Sequence, residues 1–169
     1  MSQYITDIVN QLVKQYKTRD PFELAEALNI FVGYRPFNSL KGFYCVMNRE
    51  RHIILNNNLS EQEQRLVIAH ELGHDRLHQS FAKVSPMKDF QLYDMTSKPE
   101  YQANYFAAEL LISDEDVISL AQDEMEYHHI SQLLEIHPDL LAFKLHSMNQ
   151  KGHQFNLPQN ISSRFLGRK

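Results

Sequence analysis

The chain has 169 residues, 43% of them hydrophobic and 11% aromatic, with Cys45 as its one cysteine; that is enough length to bury a core without disulfides, and no intrachain bridge can form. The start MSQYITDIVNQLVKQYK lacks a signal-peptide layout, and apolar runs such as Ile53 to Leu55 fall far short of the ~20 residues that cross a bilayer, so a cytoplasmic protein in a reducing compartment is expected. A net charge of −4 argues against a general nucleic-acid binder, since phosphate affinity rests on clustered Lys and Arg.

Ile5, Ile8, Val9, Leu12 and Val13 recur at helical spacing and predict a first helix to Tyr16. Pro21 opens a second, with Phe22, Leu24, Ala25 and Leu28 inward. Strands follow at Ile30–Tyr34, Gly42–Met47 and His52–Asn56, the last two joined by the polar turn 48–51, and a three-stranded antiparallel sheet is expected. Ser60 and Glu63 have capping-box spacing and start a helix expected to reach about His78. A breaker-rich loop, 79–98, precedes a helix with Ala103, Phe106, Ala107, Leu110 and Leu111 on one face. From Ser113 onward further helices are expected, including a pair hinged at Ile136-His137-Pro138.

Within the helix from Ser60 stands His70-Glu71-Leu72-Gly73-His74, an HExxH motif. Residues four apart project from one helical face about one turn apart, so both imidazoles can reach one zinc ion at ~2.0–2.1 Å. Glu71, ~100° around the helix, is poorly placed as a ligand but suits a general base facing a metal-bound water. With nine histidines in the chain the motif needs context, and the bland alternative is two exposed or hydrogen-bonded histidines. The flanking Leu66-Val67-Ile68-Ala69 and Leu72 argue against it, because they seat the helix in a core where unpaired histidines are costly. Gly73 sacrifices ~1 kcal/mol of helix propensity relative to alanine, which points to a close approach by substrate or another element.

A catalytic zinc takes three protein ligands and keeps a fourth position open. Glu100, in the first turn of the next well-patterned helix, is the best placed acid, and Asn104 on the same face can accept the ring N–H of a metal-bound histidine. Ser97-x-x-Glu100 is also a capping box, in which the glutamate would serve its own helix end. Asp75 and Glu109 are rivals for the ligand position. His78 continues the stripe but lies ~12 Å along the axis from His70, too far to share an ion, and is assigned to packing or a hydrogen bond. Tyr93, Tyr101 and Tyr105 are near enough to supply an oxyanion donor, and nothing selects among them.

Ala69-His70-Glu71-Leu72-Gly73-His74, Leu77-His78, and Glu100-x-x-Ala103-Asn104-x-Phe106-Ala107-Ala108-x-Leu110-Leu111 together resemble the ImmA/IrrE family of metallopeptidases, over roughly Gly42 to Ile112 and more loosely on either side. The resemblance implies an α+β, zincin-like fold, a small sheet packed on the HExxH helix with helices at both ends. It implies one zinc per chain held by His70, His74 and Glu100, with Glu71 catalytic. It further implies a metalloendopeptidase that cleaves a helix-turn-helix repressor of a mobile element, prophage or stress operon. The strand His52–Asn56 would then border the cleft and pair with an extended substrate segment. An alternative is a non-catalytic, zinc-containing regulator that binds a repressor without cutting it; an intact Glu71 favours the enzyme. The expected organisation is a metallopeptidase core at 1–112, a helical appendage at 113–150 and a basic tail at 151–169. The stretch His129 to Met148 is helix-turn-helix-like in outline, yet Lys144 is its only Lys or Arg, so no direct nucleic-acid contact is expected, and no membrane contact. The tail carries Lys151, Arg164, Arg168 and Lys169; solvation is the plain reading of it, and DNA contact the weakest.

Overall fold

The computed structural model describes residues 2–79, 98–122 and 126–157. Helix α1 (Ser2–Tyr16) buries Ile5, Val9 and Leu12, the stripe expected from their spacing. Helix α2 (Pro21–Ala27) starts where Asp20 accepts the N–H groups of Phe22 and Glu23 at 2.8 and 3.1 Å and Pro21 supplies the fixed first φ.

Three strands follow, β1 (Ile30–Arg35), β2 (Gly42–Met47) and β3 (Glu50–Asn56), in the order β1-β3-β2. Asn48 and Arg49 both have positive φ, 52° and 68°, as a two-residue turn matched to the strand twist demands, and they make β2 and β3 an antiparallel hairpin. The expected all-antiparallel sheet is corrected at β1, which runs parallel to β3, from Ile30 opposite Arg51 to Arg35 opposite Asn56. The cause lies in residues 36–41, which carry the chain over the end of β3 to its far side. Asn56 pins that crossing: its side-chain amide donates to Phe37 O at 2.8 Å and Leu40 O at 3.0 Å, and its backbone N–H to Lys41 O at 2.8 Å. As the middle strand, β3 has both edges paired, so the expectation that 52–56 offers free backbone groups to a substrate is overturned. Among the described residues the free edges belong to β1 and β2.

Helix α3 (Glu61–Leu77) begins with the capping box, Ser60 N–H donating to Glu63 Oε2 at 3.1 Å and Glu63 N–H to Ser60 Oγ at 3.3 Å, and is capped by His78. One face packs on the sheet so closely that a Cβ at Gly42 would come within 2.6 Å of Val67. Another face meets α4 (Lys98–Leu111), where a Cβ at Gly73 would lie 2.9 Å from Ala103 Cα; the close approach expected of this glycine is to a helix.

Helices α5 (Asp114–Gln122), α6 (Tyr127–Leu133) and α7 (Pro138–Gln150) complete the described chain. The hinge between α6 and α7 has Glu135 at φ 52° and the His137 ring accepting the Asp139 N–H, with Pro138 at the first helical position. Val117, Ile130, Leu140, Phe143 and Met148 from these helices belong to the same apolar cluster as Ile5, Ile53, Ile68 and Phe106. Lys144 is 1% exposed, its ammonium 3.4 Å from Glu109 and 2.5 Å from Asp114, so this cation faces inward. No helix among the described residues is long and apolar enough to cross a membrane. Residues 80–97, with Tyr93 and the proposed Ser97 cap, and residues 158–169, with Arg164, Arg168 and Lys169, lie outside the described residues.

Candidate metal centre

Helix α3 presents His70 and His74 from one stripe, and α4 brings Glu100 to both. His70 Nε2 lies 3.1 Å from His74 Nε2 and 3.1 Å from Glu100 Oε2, and His74 Nε2 lies 3.3 Å from Glu100 Oε1. All three side chains are buried, and one donor atom from each can be chosen so that all lie within 4.8 Å of one another. Ligands ~2.0–2.1 Å from a tetrahedral ion stand ~3.3–3.4 Å apart, close to these separations. Both carboxylate oxygens of Glu100 are buried and face imidazole nitrogens alone, Oε2 toward His70 and Oε1 toward His74, a donor set that a cation suits. The cluster therefore fits a metal ion.

The outward nitrogens are held as well. His70 Nδ1 is 2.8 Å from Asn104 Oδ1, and His74 Nδ1 is 3.1 Å from His78 Nδ1. Glu100 is thus turned to the histidines with 1% exposure. The rivals go elsewhere: Asp75 binds Arg51 at 3.1 and 3.2 Å and Arg76 at 2.7 Å, and Glu109 faces Lys144 and Lys151, each at 3.4 Å.

Burial opposes the charge on Glu100, but hydrogen bonds from His70 and His74 outweigh it and pull its pKa to about 2. Burial disfavours imidazolium at both histidines; at His74 it wins, lowering the pKa to about 4, whereas at His70 the Glu100 contact and the charge of Glu71 reverse it. His74 is accordingly neutral near pH 7, the form with a nitrogen lone pair for a metal. Glu71, 7% exposed, is pushed up to about 7, by burial first and by the charge of Glu100, against the pull of His70 and of the Tyr44 backbone N–H.

The Tyr44 contact is a feature the sequence reading missed. Because Asn56 N–H meets Lys41 O, ladder alternation directs Phe43 and Cys45 toward β3 and the backbone groups of Gly42, Tyr44 and Val46 toward the free edge. The edge of β2 therefore adjoins Glu71. Cys45 is no nucleophile there, since burial and the charge of Glu71 raise its pKa. Neither described tyrosine candidate is aimed at the cluster: Tyr105 directs its hydroxyl to Ser147 and Thr6, and Tyr101 packs on Phe143 with ring centroids 5.1 Å apart.

A model of the peptidase M78 family, the IrrE N-terminal-like domain, matches residues 25–146, well over half of the chain. The chain belongs to the ImmA/IrrE family. Immunity region protein 2 of Bacillus phage phi105 is 35% identical over 137 residues, 80% of this chain and 85% of that protein. Metallopeptidase ImmA of Bacillus subtilis (strain 168) is 26% identical over 106 residues, 63% of this chain and 62% of that protein. His70, Glu71, His74 and Glu100 of this ImmA/IrrE member all lie inside the matched region.

Proposed function

We propose that the chain is a zinc-dependent endopeptidase that cleaves a protein substrate, a helix-turn-helix repressor of a prophage or mobile element, and thereby releases transcription. The observation that carries this reading is the convergence of His70, His74 and Glu100 beside a buried Glu71 at a free strand edge. The name of the phage relative, an immunity region protein, supports a regulatory substrate.

In this reading His70 and His74 bind through Nε2 and Glu100 through its carboxylate, while Asn104 accepts the Nδ1–H of His70 and fixes that ring. Bound zinc would supply Lewis acidity to the scissile carbonyl and lower the pKa of a ligated water toward ~7. Glu71 takes the water's proton on its carboxylate and passes it to the leaving amine, and a pKa near neutrality suits both transfers. The edge of β2 pairs with an extended stretch of substrate through the Tyr44 carbonyl and the Val46 backbone groups, the Tyr44 N–H being held by Glu71. The cut then falls in a linker or locally opened element, because a residue locked in a helix cannot pair with a strand.

Metal binding tests the ligand set. Purified protein is expected to bind about one zinc, and His70→Ala, His74→Ala or Glu100→Ala each to weaken it strongly in chelator competition. Wild-type affinity in Glu100→Ala, with loss in Glu109→Ala or Asp75→Ala, would transfer the role to another acid.

A further inference from the structure

His78 is a buried histidine whose ring lies against a ligand of the proposed metal. It continues the stripe of His70 and His74, at the residue that caps α3, and is 7% exposed. Its Nδ1 is 3.1 Å from His74 Nδ1, and its Nε2 is 3.1 Å from Gln102 Oε1 on α4. We infer that His78 and Gln102 are positioning residues for His74, a chain of two hydrogen bonds that fixes the tautomer and orientation of this ligand as Asn104 does for His70. The inference rests on the metal reading given above.

The direction of each hydrogen bond follows from valence alone. A metal on His74 Nε2 leaves its only ring proton on Nδ1, and that proton needs an acceptor because the ring is 3% exposed. His78 Nδ1 must then carry a lone pair, which puts the His78 proton on Nε2. That proton requires an acceptor in turn, and Gln102 offers its carbonyl oxygen. Reversing the amide would aim an N–H at His78 Nε2, move the His78 proton to Nδ1 and set two N–H groups against each other at 3.1 Å. One end of the chain therefore determines the other: an acceptor at Gln102 presets His74 with its Nε2 lone pair toward Glu100 and His70.

Helix α4 thus serves both histidines, directly at His70 through Asn104 and through one intervening ring at His74. A side chain present only to fill space at the end of α3 would not need a nitrogen at either contact, which separates the two roles experimentally.

The test uses the full chain. His78→Phe keeps the ring and removes both nitrogens, and Gln102→Met keeps the length of a half-buried side chain and removes the acceptor. Zinc affinity by chelator competition is expected to fall ~10- to 100-fold in His78→Phe and several-fold in Gln102→Met. Nitrogen NMR of the zinc-loaded wild type is expected to show His74 protonated at Nδ1 and His78 at Nε2, with Gln102→Met mixing the His78 tautomers. Wild-type zinc affinity in both variants, or His78 protonated at Nδ1 in the zinc-loaded wild type, overturns the inference. If His78→Phe does not fold, Gln102→Met and the wild-type spectrum decide. A wild type that binds no zinc, or whose binding is untouched by His70→Ala, instead refutes the metal reading beneath it.

Discussion

At the scale of single residues, the chemistry proposed here turns on Glu71. Gln at this position keeps the size and leaves the three ligands alone but cannot accept a proton, so metal content is expected to persist while cleavage falls by ~10²-fold or more. Metal analysis beside a cleavage assay checks both halves; retained cleavage in a zinc-loaded Glu71→Gln protein would remove Glu71 from the mechanism. His70, His74 and Glu71 are legible in sequence because their relation is local, set by the helical repeat alone. Glu100 and Asn104 are legible as one face of the next helix. The partnership of His78 with Gln102 is not, because it depends on how α3 and α4 cross and on which way a flanking side chain reaches.

At the scale of elements, the crossing of α3 and α4 is held by Gly73. Alanine would add ~1 kcal/mol of helix propensity, yet its Cβ would press on Ala103 Cα at 2.9 Å, Ala103 O at 3.2 Å and Phe106 Cβ at 3.2 Å. Helix α4 must then move, carrying Glu100 with it. Gly73→Ala is expected to cost about 1–3 kcal/mol in urea unfolding and to weaken zinc binding at the same time; a more stable variant with unchanged affinity would show that the contact yields freely. The sheet carries a second prediction. Val46 directs its N–H outward from β2, so Val46→Pro removes one edge donor without touching the ladder to β3. Cleavage is expected to slow about fivefold, the equivalent of about 1 kcal/mol, with zinc retained and melting unchanged. An unaltered rate in such a protein would mean that substrate is not held there. That β3 and not β2 is central is not visible in sequence, since the apolar run Phe43 to Met47 is longer than Ile53-Ile54-Leu55 and would itself suit an inner strand. The parallel placement of β1 is not visible, since it depends on the crossing loop and its anchor Asn56.

At the scale of the whole molecule, a set of four charges, two of them buried at Lys144 and Glu109, joins the last helices to α4. Lys144 and Lys151 reach both Glu109 and Asp114. Removing Lys144 leaves Glu109, 3% exposed, with a weaker partner set, so Lys144→Met is expected to cost about 3 kcal/mol in denaturant unfolding, and adding Glu109→Leu to restore much of it. A neutral Lys144→Met would show that Lys151 suffices. Burial opposes the charge on Asp114, but the two lysines outweigh it and hold its carboxyl below the ordinary value of 3.8. A depressed folded pKa stabilises above the unfolded value, and that stability is lost as pH falls through the folded one. Wild type should therefore lose part of its stability in acid below about pH 4, and Lys144→Met should lose less over the same range. Helix positions and the hinge at Pro138 are legible in sequence, whereas the inward turn of Lys144 is not, because a lone lysine in a helical segment reads as surface until its acidic partners are brought together.

The most direct test is one comparison, made in cells that carry a candidate helix-turn-helix repressor and a reporter it silences. Wild-type protein or Glu71→Gln is expressed and the mass of the repressor is followed. Shortened repressor with wild type, and intact repressor with Glu71→Gln, is the predicted result; intact repressor in both cases, with the reporter equally switched on, would contradict cleavage as the function.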